Sequence, residues 1–188
     1  VEFSDYMRGA KVITGCNSNI INIFSKFNQN IMRVSQCVDE KVFFPIPEKL
    51  SARSSARRPA GNKFVLGWSG RQNNPIKNLP IIKEACIKSG IALSIVSSLN
   101  REQLNQWYNK IDAVVCASSS EGGPLMLLEA GAVGLPVIST RVGLSREIIE
   151  DKKTGLVVEP DPDSISKALK VLSTNRDMQK YLGDQLHS

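Results

Sequence analysis

Two carboxylates accompany a glycine-rich loop in residues 118–137, which are SSSEGGPLMLLEAGAVGLPV. A helix is predicted to begin at Pro124 or Leu125, and proline is well tolerated there because the first amide groups of a helix have no internal partner. These free N–H groups and the positive end of the helix dipole form a site for phosphate. Gly122 and Gly123 let the backbone approach a ligand closely. The stretch therefore predicts an anion-binding helix terminus.

The carboxylates are Glu121, in the loop, and Glu129, on the predicted helix. A carboxylate accepts hydrogen bonds from vicinal hydroxyl groups such as those of a ribose or a hexose. The alternative interpretation is that Glu129 faces solvent and that the helix dipole stabilises Glu121. Because Glu129 lies within the otherwise apolar segment LMLLEAGAVG, its carboxylate needs a polar partner. This requirement favours a ligand-binding role for the pair.

A second cluster contains Gly70, Arg71 and Lys77, in the segment GWSGRQNNPIKN. The two cations lie six positions apart on a loop rich in glycine and asparagine. Together they can clamp a diphosphate, the arginine as a bidentate fork and the lysine as a point charge. The alternative is an exposed loop with incidental charges.

Short apolar runs alternate with amphipathic segments along most of the chain. The predicted strands cover residues 11–14, 31–34, 63–67, 91–96, 111–116, 136–139 and 156–158. The predicted helices cover residues 18–27, 80–89, 100–109, 125–133, 145–150, 164–172 and 176–182. This order predicts an α/β fold, a Rossmann-like, doubly wound parallel sheet with helices on both faces. Such sheets bind ligands at the carboxyl ends of their strands, here in the loops after Gly67, Val96 and Cys116.

The composition narrows the class of protein. The 188 residues are 41% hydrophobic and 22% charged, as in an ordinary soluble globular protein. No apolar run approaches the roughly 20 residues that span a bilayer, and the first residues do not have the pattern of a signal peptide. The formal net charge is +6. The sequence nevertheless has neither zinc-finger spacings nor a basic stripe interleaved with aromatic residues, which argues against nucleic acid as a partner.

Three further features concern redox state, metal binding and domain organisation. The four cysteines are Cys16, Cys37, Cys86 and Cys116. Their wide spacing predicts reduced thiols in a cytosolic protein. The single histidine, His187, argues against a histidine-based triad or a multi-histidine metal site. A stretch rich in Ser, Ala and Pro at 51–61 predicts an exposed linker. Basic residues cluster within and just after it, at Arg53, Arg57, Arg58 and Lys63. Attraction to phosphorylated ligands or to an anionic membrane surface is the alternative interpretation of these charges.

The segment EGGPLMLLEAGAVGLPVI resembles the E-x(7)-E signature of retaining GT-B glycosyltransferases, with Glu121 and Glu129 in the two Glu positions. Its companion motifs also match: E-G-x-P at 121–124, E-A-x-A at 129–132 and G-x-P-V at 134–137. Further similar segments are Thr140-x-Val142-Gly143 with Glu147, Thr154-Gly155-Leu156-Val157-Val158, and Val38-Asp39 with Phe43 and Pro45. In this order the motifs cover about residues 10–183.

The resemblance implies the C-terminal, donor-binding half of a GT-B fold. Residues 17–188 are then the nucleotide-sugar-binding domain, and residues 1–16 are a remnant of the N-terminal acceptor domain. A glycan, lipid or small-molecule acceptor would bind through that missing domain, so this chain alone would have little or no transferase activity. The full-length enzyme would transfer a hexosyl group from a UDP-sugar or GDP-sugar with retention of configuration. It would act in glycan biosynthesis, in the cytoplasm or peripherally at a membrane surface.

The resemblance also assigns roles to individual residues. Glu121 would contact the donor sugar and Glu129 would hold the ribose hydroxyls. Arg71 and Lys77 would neutralise the leaving diphosphate, and with Glu121 they form the predicted catalytic set. The complete predicted donor site consists of Gly70, Arg71, Lys77, Ser97, Glu121, Gly122, Gly123, Pro124, Leu125, Met126 and Glu129. No cofactor and no bound metal are implied, because cationic side chains and a helix terminus take their place.

The sequence departs from the family pattern at three places. The segment between the strand at 91–96 and the next helix is shortened to SSLNREQ, which changes the base-recognising region near Ser97 and Ser98. Gln36-Cys37 stands where N-G commonly precedes V-D. Leu144 stands where a second glycine usually follows Gly143, and a larger residue there can reshape the sugar pocket.

One motif is interpreted as a decoy. Asp161-Pro162-Asp163 spells the D-x-D metal motif of a different glycosyltransferase fold, but its position before a helix predicts Asp163 as an N-cap.

Two alternative functions fit the residues of the predicted donor site. They are a non-catalytic nucleotide- or sugar-phosphate-binding module and a glycosyl phosphorylase, which shares the E-x(7)-E site. An acceptor domain upstream would favour an enzyme, and phosphate-dependent release of a sugar phosphate would favour a phosphorylase.

Overall fold

The computed structural model of the chain describes residues 3–47 and 63–188. The predicted linker at 51–61, with Arg53, Arg57 and Arg58, lies outside the described residues. The described residues form an α/β fold with parallel sheets flanked by helices, as the sequence predicts. Within these two ranges, none of the helices is both long and apolar enough to cross a membrane.

A small unit precedes the main sheet. It contains helix α1 (Phe3–Gly9), strand β1 (Ile13–Gly15), helix α2 (Ser18–Phe24) and strand β2 (Ile31–Arg33). Strands β1 and β2 pair in parallel as a separate two-stranded sheet. This pairing extends across residue 16, where the sequence analysis places the end of an acceptor-domain remnant, and that boundary stays a prediction. We call residues 3–34 the N-terminal unit.

The main sheet has five parallel strands. They are β3 (Val65–Ser69), β4 (Ala92–Val96), β5 (Ala113–Cys116), β6 (Val137–Ser139) and β7 (Leu156–Val157). Their spatial order is β4-β3-β5-β6-β7. The chain therefore moves outward from β3 to β4 and returns to the other side of β3 with β5. Such a reversal leaves a crevice outside the carboxyl ends of the two central strands, where open α/β sheets bind ligands.

Helices cover both faces of this sheet. They are α3 (Leu79–Ser89), α4 (Arg101–Tyr108), α5 (Leu125–Ala132), α6 (Ser145–Ile148), α7 (Pro162–Thr174) and α8 (Arg176–His187). Side chains alternate along a strand, so Val115 packs with Leu169 of α7 on one face. Val114 packs with Tyr108 of α4 and Leu127 of α5 on the other face. Both cores are close-packed, which holds the carboxyl ends of the strands in a fixed arrangement.

Most predicted elements are present, with shifted ends. The predicted strand at 63–67 begins and ends two residues later, because Trp68 and Ser69 pair with Ile95 and Val96 of β4. The capping box predicted at Asn100 is confirmed: its side chain accepts from the Gln103 amide, and the Gln103 side chain accepts from the Asn100 amide. Helix α1 and a 3-10 turn at Pro75–Lys77 were not predicted.

The prediction that Asp163 is an N-cap was wrong. The N-cap of α7 is Asp161, whose Oδ1 accepts hydrogen bonds from the amides of Asp163 and Ser164 at 2.9 and 2.8 Å. The reason is that Pro162 occupies the first helical position, where proline is favoured, so the cap falls one residue before it. The Asp163 carboxylate instead accepts a 3.0 Å bond from the Lys88 ammonium group.

Candidate functional site

A cavity of about 320 Å³ opens at the carboxyl ends of β3 and β5. Its walls come from four parts of the chain: the end of β3, the 3-10 turn, helix α4, and the segment from β5 into α5. The lining residues are Trp68, Ser69, Lys77, Leu104, Cys116, Ser118, Glu121, Gly123, Pro124, Leu125, Met126 and Glu129. This volume lies within the range of small-molecule sites in proteins. The cavity occupies the crevice that the strand order creates.

Lys77 reaches Glu121 across the mouth of this crevice. Its Nζ atom donates to Oε1 of Glu121 at 2.5 Å, and the Ser118 hydroxyl donates to the same oxygen at 2.8 Å. The 3-10 turn that carries Lys77 is held against the end of β5 by Asn78, whose amide group donates to the Ala117 carbonyl at 2.8 Å. Two segments that are far apart in the sequence thus place opposite charges in one half-buried pair.

Glu129 also lines the cavity and has the polar partner that its apolar setting requires. Its Oε2 atom accepts a 2.7 Å hydrogen bond from the Tyr108 hydroxyl. Burial raises the pKa of Glu129, and the bond from Tyr108 together with the positive charge of Arg101 opposes that shift. Burial, and then the neighbouring Glu129 charge, raise the pKa of Tyr108 well above its ordinary value, so the phenol stays a neutral donor.

The first turn of α5 borders the cavity. Pro124 is the N-cap residue in an extended conformation, and it offers no side-chain oxygen to the first turn. The first N–H groups of a helix have no partner within the helix. Leu125 and Met126, which follow the cap, line the cavity. A helix terminus of this kind can supply both hydrogen-bond donors and a partial positive charge to an anion.

Gly122 is fixed from two sides, and its carbonyl is not part of the cavity wall. Its oxygen accepts bonds from the Asn17 side chain at 2.5 Å and from the Leu144 amide at 3.0 Å. Asn17 is 1% exposed and also caps α2 by accepting from the Ile20 amide at 2.9 Å. The loop that carries Glu121 is consequently clamped between the N-terminal unit and the segment before α6.

Two of the three positions where the sequence departs from the family pattern, Leu144 and Gln36, lie against this same loop. Leu144 is buried and donates to the Gly122 carbonyl. The Gln36 side chain packs directly on Gly123, where a Cβ atom would lie 1.6 Å from its Oε1. In the shortened segment, the Ser97 hydroxyl donates to the Gly70 carbonyl at 2.6 Å, which joins the loops after β3 and β4.

The structure brings most of the predicted donor site together, but not all of it. Seven of the predicted residues line the cavity: Lys77, Glu121, Gly123, Pro124, Leu125, Met126 and Glu129. Arg71 is exposed, and it does not line the cavity. Gly70, Ser97 and Gly122 support neighbouring loops through the bonds described above. The functional roles of all these residues stay predictions.

Sequence reasoning missed three residues that shape the site: Tyr108, Ser118 and Asn17. Each acts through a contact with a residue that the sequence did identify. The asparagine before α2 could have been found as an N-cap, because Asn is favoured there. Its bond to Gly122 spans 105 positions, and no local pattern reveals such a contact. Within residues 3–47 and 63–188, no group of three or more His, Cys, Asp or Glu side chains could hold a metal ion.

Residues 82–186, over half of the chain, match the family of glycosyl transferases group 1. The chain belongs to this family. It is 44% identical over 61 residues to a D-inositol 3-phosphate glycosyltransferase of Arthrobacter sp. (strain FB24), covering 32% of this chain and 14% of that protein. It is 34% identical over 82 residues to the lipopolysaccharide core biosynthesis mannosyltransferase LpsB of Rhizobium meliloti (strain 1021), covering 43% and 23%. The chain thus spans less than a quarter of each of these relatives.

Solved structures of low sequence identity share the fold. Sucrose-phosphate synthase from Thermosynechococcus elongatus matches with a TM-score of 0.79 at 16% identity, covering 98% of this chain and 54% of that one. Anabaena HepE in complex with UDP and glucose matches at 0.76 and 13% identity, covering 95% and 57%. The C-terminal domain of LpcC, a group 1 family protein from Francisella tularensis, matches at 0.63 and 22% identity, covering 80% and 94%. The fold is that of GT-B glycosyltransferases.

Proposed function

We propose that this chain is the donor-binding domain of a glycosyltransferase and holds a nucleoside diphosphate sugar in the cavity at the ends of β3 and β5. The observation that carries the proposal is the convergence of Lys77, Glu121 and Glu129. They come from the 3-10 turn, the loop after β5 and helix α5, yet all three line one cavity. That cavity also contains the anion-binding terminus of α5. A diphosphate with a hydroxyl-bearing group on each side matches this distribution of charge.

The ribose, the diphosphate and the sugar of the donor each have a partner among the cavity residues. Glu129, about one turn into α5, accepts hydrogen bonds from the ribose hydroxyls. The diphosphate lies against the first amides of α5 and beside the ammonium group of Lys77. Arg71, exposed on the loop after β3, supplies a second cation from the rim. Glu121 positions the sugar and is not assigned as a covalent nucleophile.

The Lys77–Glu121 pair gives the site a defined resting state. Both side chains are half-buried, with 27% and 15% of their surface exposed. A diphosphate carries more negative charge than one carboxylate, so it competes for Lys77 and releases Glu121. The released carboxylate is then available to the sugar hydroxyls. The same exchange neutralises the leaving group without a bound metal ion, since preorganised cations stabilise the developing charge.

The activity of the whole enzyme belongs to the same proposal. The full-length protein transfers a hexosyl group with retention of anomeric configuration, and this chain alone binds donor without transferring it. UDP and glucose, the ligands of the HepE structure, make UDP-glucose the first donor to test. The acceptor, a glycan, lipid or small molecule, binds outside this chain. A peripheral position at a membrane surface depends on that acceptor.

Calorimetric titration of the chain tests donor binding. UDP, GDP and ADP and their sugar derivatives are each titrated into the wild type and into Glu129→Ala, Lys77→Ala and Arg71→Ala. One nucleotide should bind, and loss of a charge-assisted hydrogen bond should weaken it by about 10- to 100-fold. Glu102→Gln and Lys110→Ala, exposed changes of similar chemistry on α4 and after it, should bind like the wild type. The absence of nucleotide binding would refute the proposal.

Glu121 has a distinct signature in the same titrations. Glu121→Gln should lower the affinity for the nucleotide sugar but not for the nucleoside diphosphate, because only the sugar contacts this carboxylate. Release of Lys77 from its ion pair should increase the affinity for the nucleoside diphosphate. Equal weakening of both ligands would contradict the assignment of Glu121 to the sugar.

Transfer itself is tested on the full-length protein. Proton NMR of the anomeric centre should show a product with the configuration of the donor, and activity should survive excess EDTA. An inverted product or loss of activity in EDTA would overturn the retaining or the metal-independent part of the proposal. Phosphate-dependent release of a sugar phosphate would identify a phosphorylase instead.

A further inference from the structure

Tyr108 is a buried residue behind the cavity that the proposed chemistry does not use directly. It is the last residue of α4 and is 0% exposed. Its hydroxyl donates to Oε2 of Glu129, 21 positions away in the sequence, at 2.7 Å. A buried hydroxyl needs a partner, but a leucine or phenylalanine would fill the same core position without that requirement. The hydroxyl therefore calls for an explanation.

The aromatic ring of Tyr108 is held rigidly from several sides. Its centroid lies 4.9 Å from that of Trp107 and 6.1 Å from that of Phe43, the latter in an edge-on arrangement. The Trp107 indole N–H donates to the Ser94 hydroxyl on β4 at 2.9 Å. The segment around Phe43 is fastened to α4 by the Phe44 amide, which donates to Asn105 at 3.2 Å. The phenol oxygen is consequently a fixed point.

The described part of the chain anchors Glu129 at one carboxylate oxygen, Oε2. Within residues 3–47 and 63–188, Tyr108 is the one hydrogen-bond donor to its carboxylate. A glutamate side chain has three rotatable bonds, and ordering it on binding costs affinity. A bond from a fixed phenol to Oε2 removes that cost in advance. The Oε1 atom is then left to accept hydrogen bonds in the cavity that Glu129 lines.

We infer that Tyr108 is a positioning residue for ribose recognition: its hydroxyl anchors one oxygen of Glu129 so that the other faces the hydroxyl groups of the bound nucleotide. This inference rests on the proposed function, since it assumes that the cavity binds a nucleotide through Glu129. Tyr108 does not touch the ligand and acts only through the carboxylate. Its effect is confined to the ribose hydroxyls and leaves the diphosphate contacts unchanged.

The same bond tunes the pH range of recognition. Burial raises the pKa of Glu129, while the Tyr108 hydroxyl and the charge of Arg101 lower it. The other titratable groups around the cavity are Lys77, Cys116 and Glu121. Removal of the hydroxyl leaves the effect of burial less opposed, so the pKa of Glu129 rises further. The acidic limit of ribose recognition then moves to higher pH in a Tyr108→Phe variant.

The test compares a nucleotide with its analogue that lacks ribose hydroxyls. UDP and 2′,3′-dideoxyuridine diphosphate are titrated into wild type and Tyr108→Phe between pH 5 and 8; the guanosine pair is used if GDP is the ligand. Wild type should prefer UDP, and Tyr108→Phe should reduce that preference by about 3- to 10-fold. Its affinity for the dideoxy analogue should be unchanged. Tyr6→Phe, the same change at a residue 73% exposed on α1, should match the wild type.

Glu129→Ala separates positioning from general support of the fold. If Tyr108 acts through Glu129, adding Tyr108→Phe to Glu129→Ala should have no further effect on either ligand, because contacting residues are not additive. A Tyr108→Phe variant that keeps the full preference for UDP, or that weakens both nucleotides equally, would overturn the positioning role. A wild type that binds UDP without preferring it, or binds no nucleotide, would instead show that the proposed function is at fault.

Discussion

Replacing Gly143 with alanine is expected to lower both the stability of the chain and its affinity for a nucleotide sugar. Gly143 has a φ of +48°, in the left-handed region. A Cβ atom there would lie 2.2 Å from the carbonyl oxygen of Glu121 and 2.4 Å from that of Gly122. Both atoms belong to the backbone of the loop that carries the Glu121 carboxylate. The substitution can be accommodated only if that loop moves.

The size of the effect follows from two contributions. A left-handed conformation costs a residue with a Cβ atom about 1–2 kcal/mol. Forcing an extra carbon into a packed site costs about 1–3 kcal/mol more. For a chain of this length, 1 kcal/mol corresponds to about 2–4 °C in Tm. Gly143→Ala should therefore lower Tm by about 4–20 °C.

Gly90→Ala is the matched control. Gly90 has a φ of +70°, but no atom of the described residues lies within 4 Å of a Cβ placed there. It should show the conformational cost alone, about 2–8 °C, with unchanged donor affinity. Thermal unfolding followed by circular dichroism, together with calorimetric titration, measures both quantities. Equal losses of Tm in the two variants, with donor binding intact in Gly143→Ala, would refute the argument that Gly143 is needed for close approach to the loop.

Two further predictions concern the attachment of the N-terminal unit and the reactivity of the thiols. Glu147 of α6 attaches the N-terminal unit, because its Oε1 atom accepts from the Ser18 amide at 2.6 Å and its Oε2 atom accepts from Arg33 at 2.5 Å. The Ser18 amide, and then Arg33, lower the pKa of Glu147. These contacts therefore stabilise the attachment fully above the unfolded pKa of about 4.3, and the stabilisation is lost as the pH falls through the lower folded value. Glu147→Gln should remove this stabilisation at neutral pH, and hydrogen exchange in residues 3–34 should become faster. Exchange no faster than in the control variant Glu150→Gln would contradict this prediction. A thiol reagent should modify exposed Cys37 first and Cys86 only after unfolding, because burial raises the pKa of Cys86 to about 11. Mass mapping that finds both thiols modified at similar rates in the folded chain would oppose this prediction.

The sequence predicted the elements whose causes are local. Alternation of apolar runs with amphipathic segments predicted the parallel α/β sheet, and the Asn100 capping box marked the start of α4. Glu121 and Glu129 were identified because their loop, proline and helix are adjacent in the chain. The same local reasoning failed at Asp163, where two candidate caps stand two positions apart and the intervening Pro162 decides between them. It also missed α1, which has no clear apolar period.

Only the tertiary structure decided which partners the functional side chains have. The sequence suggested that Glu129 needs a polar partner, but packing of α4 against α5 selected Tyr108. It suggested a cation near the diphosphate, and the fold placed Lys77 in the cavity while leaving Arg71 exposed at the surface. Clamping of the glycine loop by Asn17 was not foreseen. The physical reason is common to all of these contacts: helix and strand patterns depend on neighbours within a few residues, whereas a hydrogen bond between distant segments exists only once the packed sheet has brought them together.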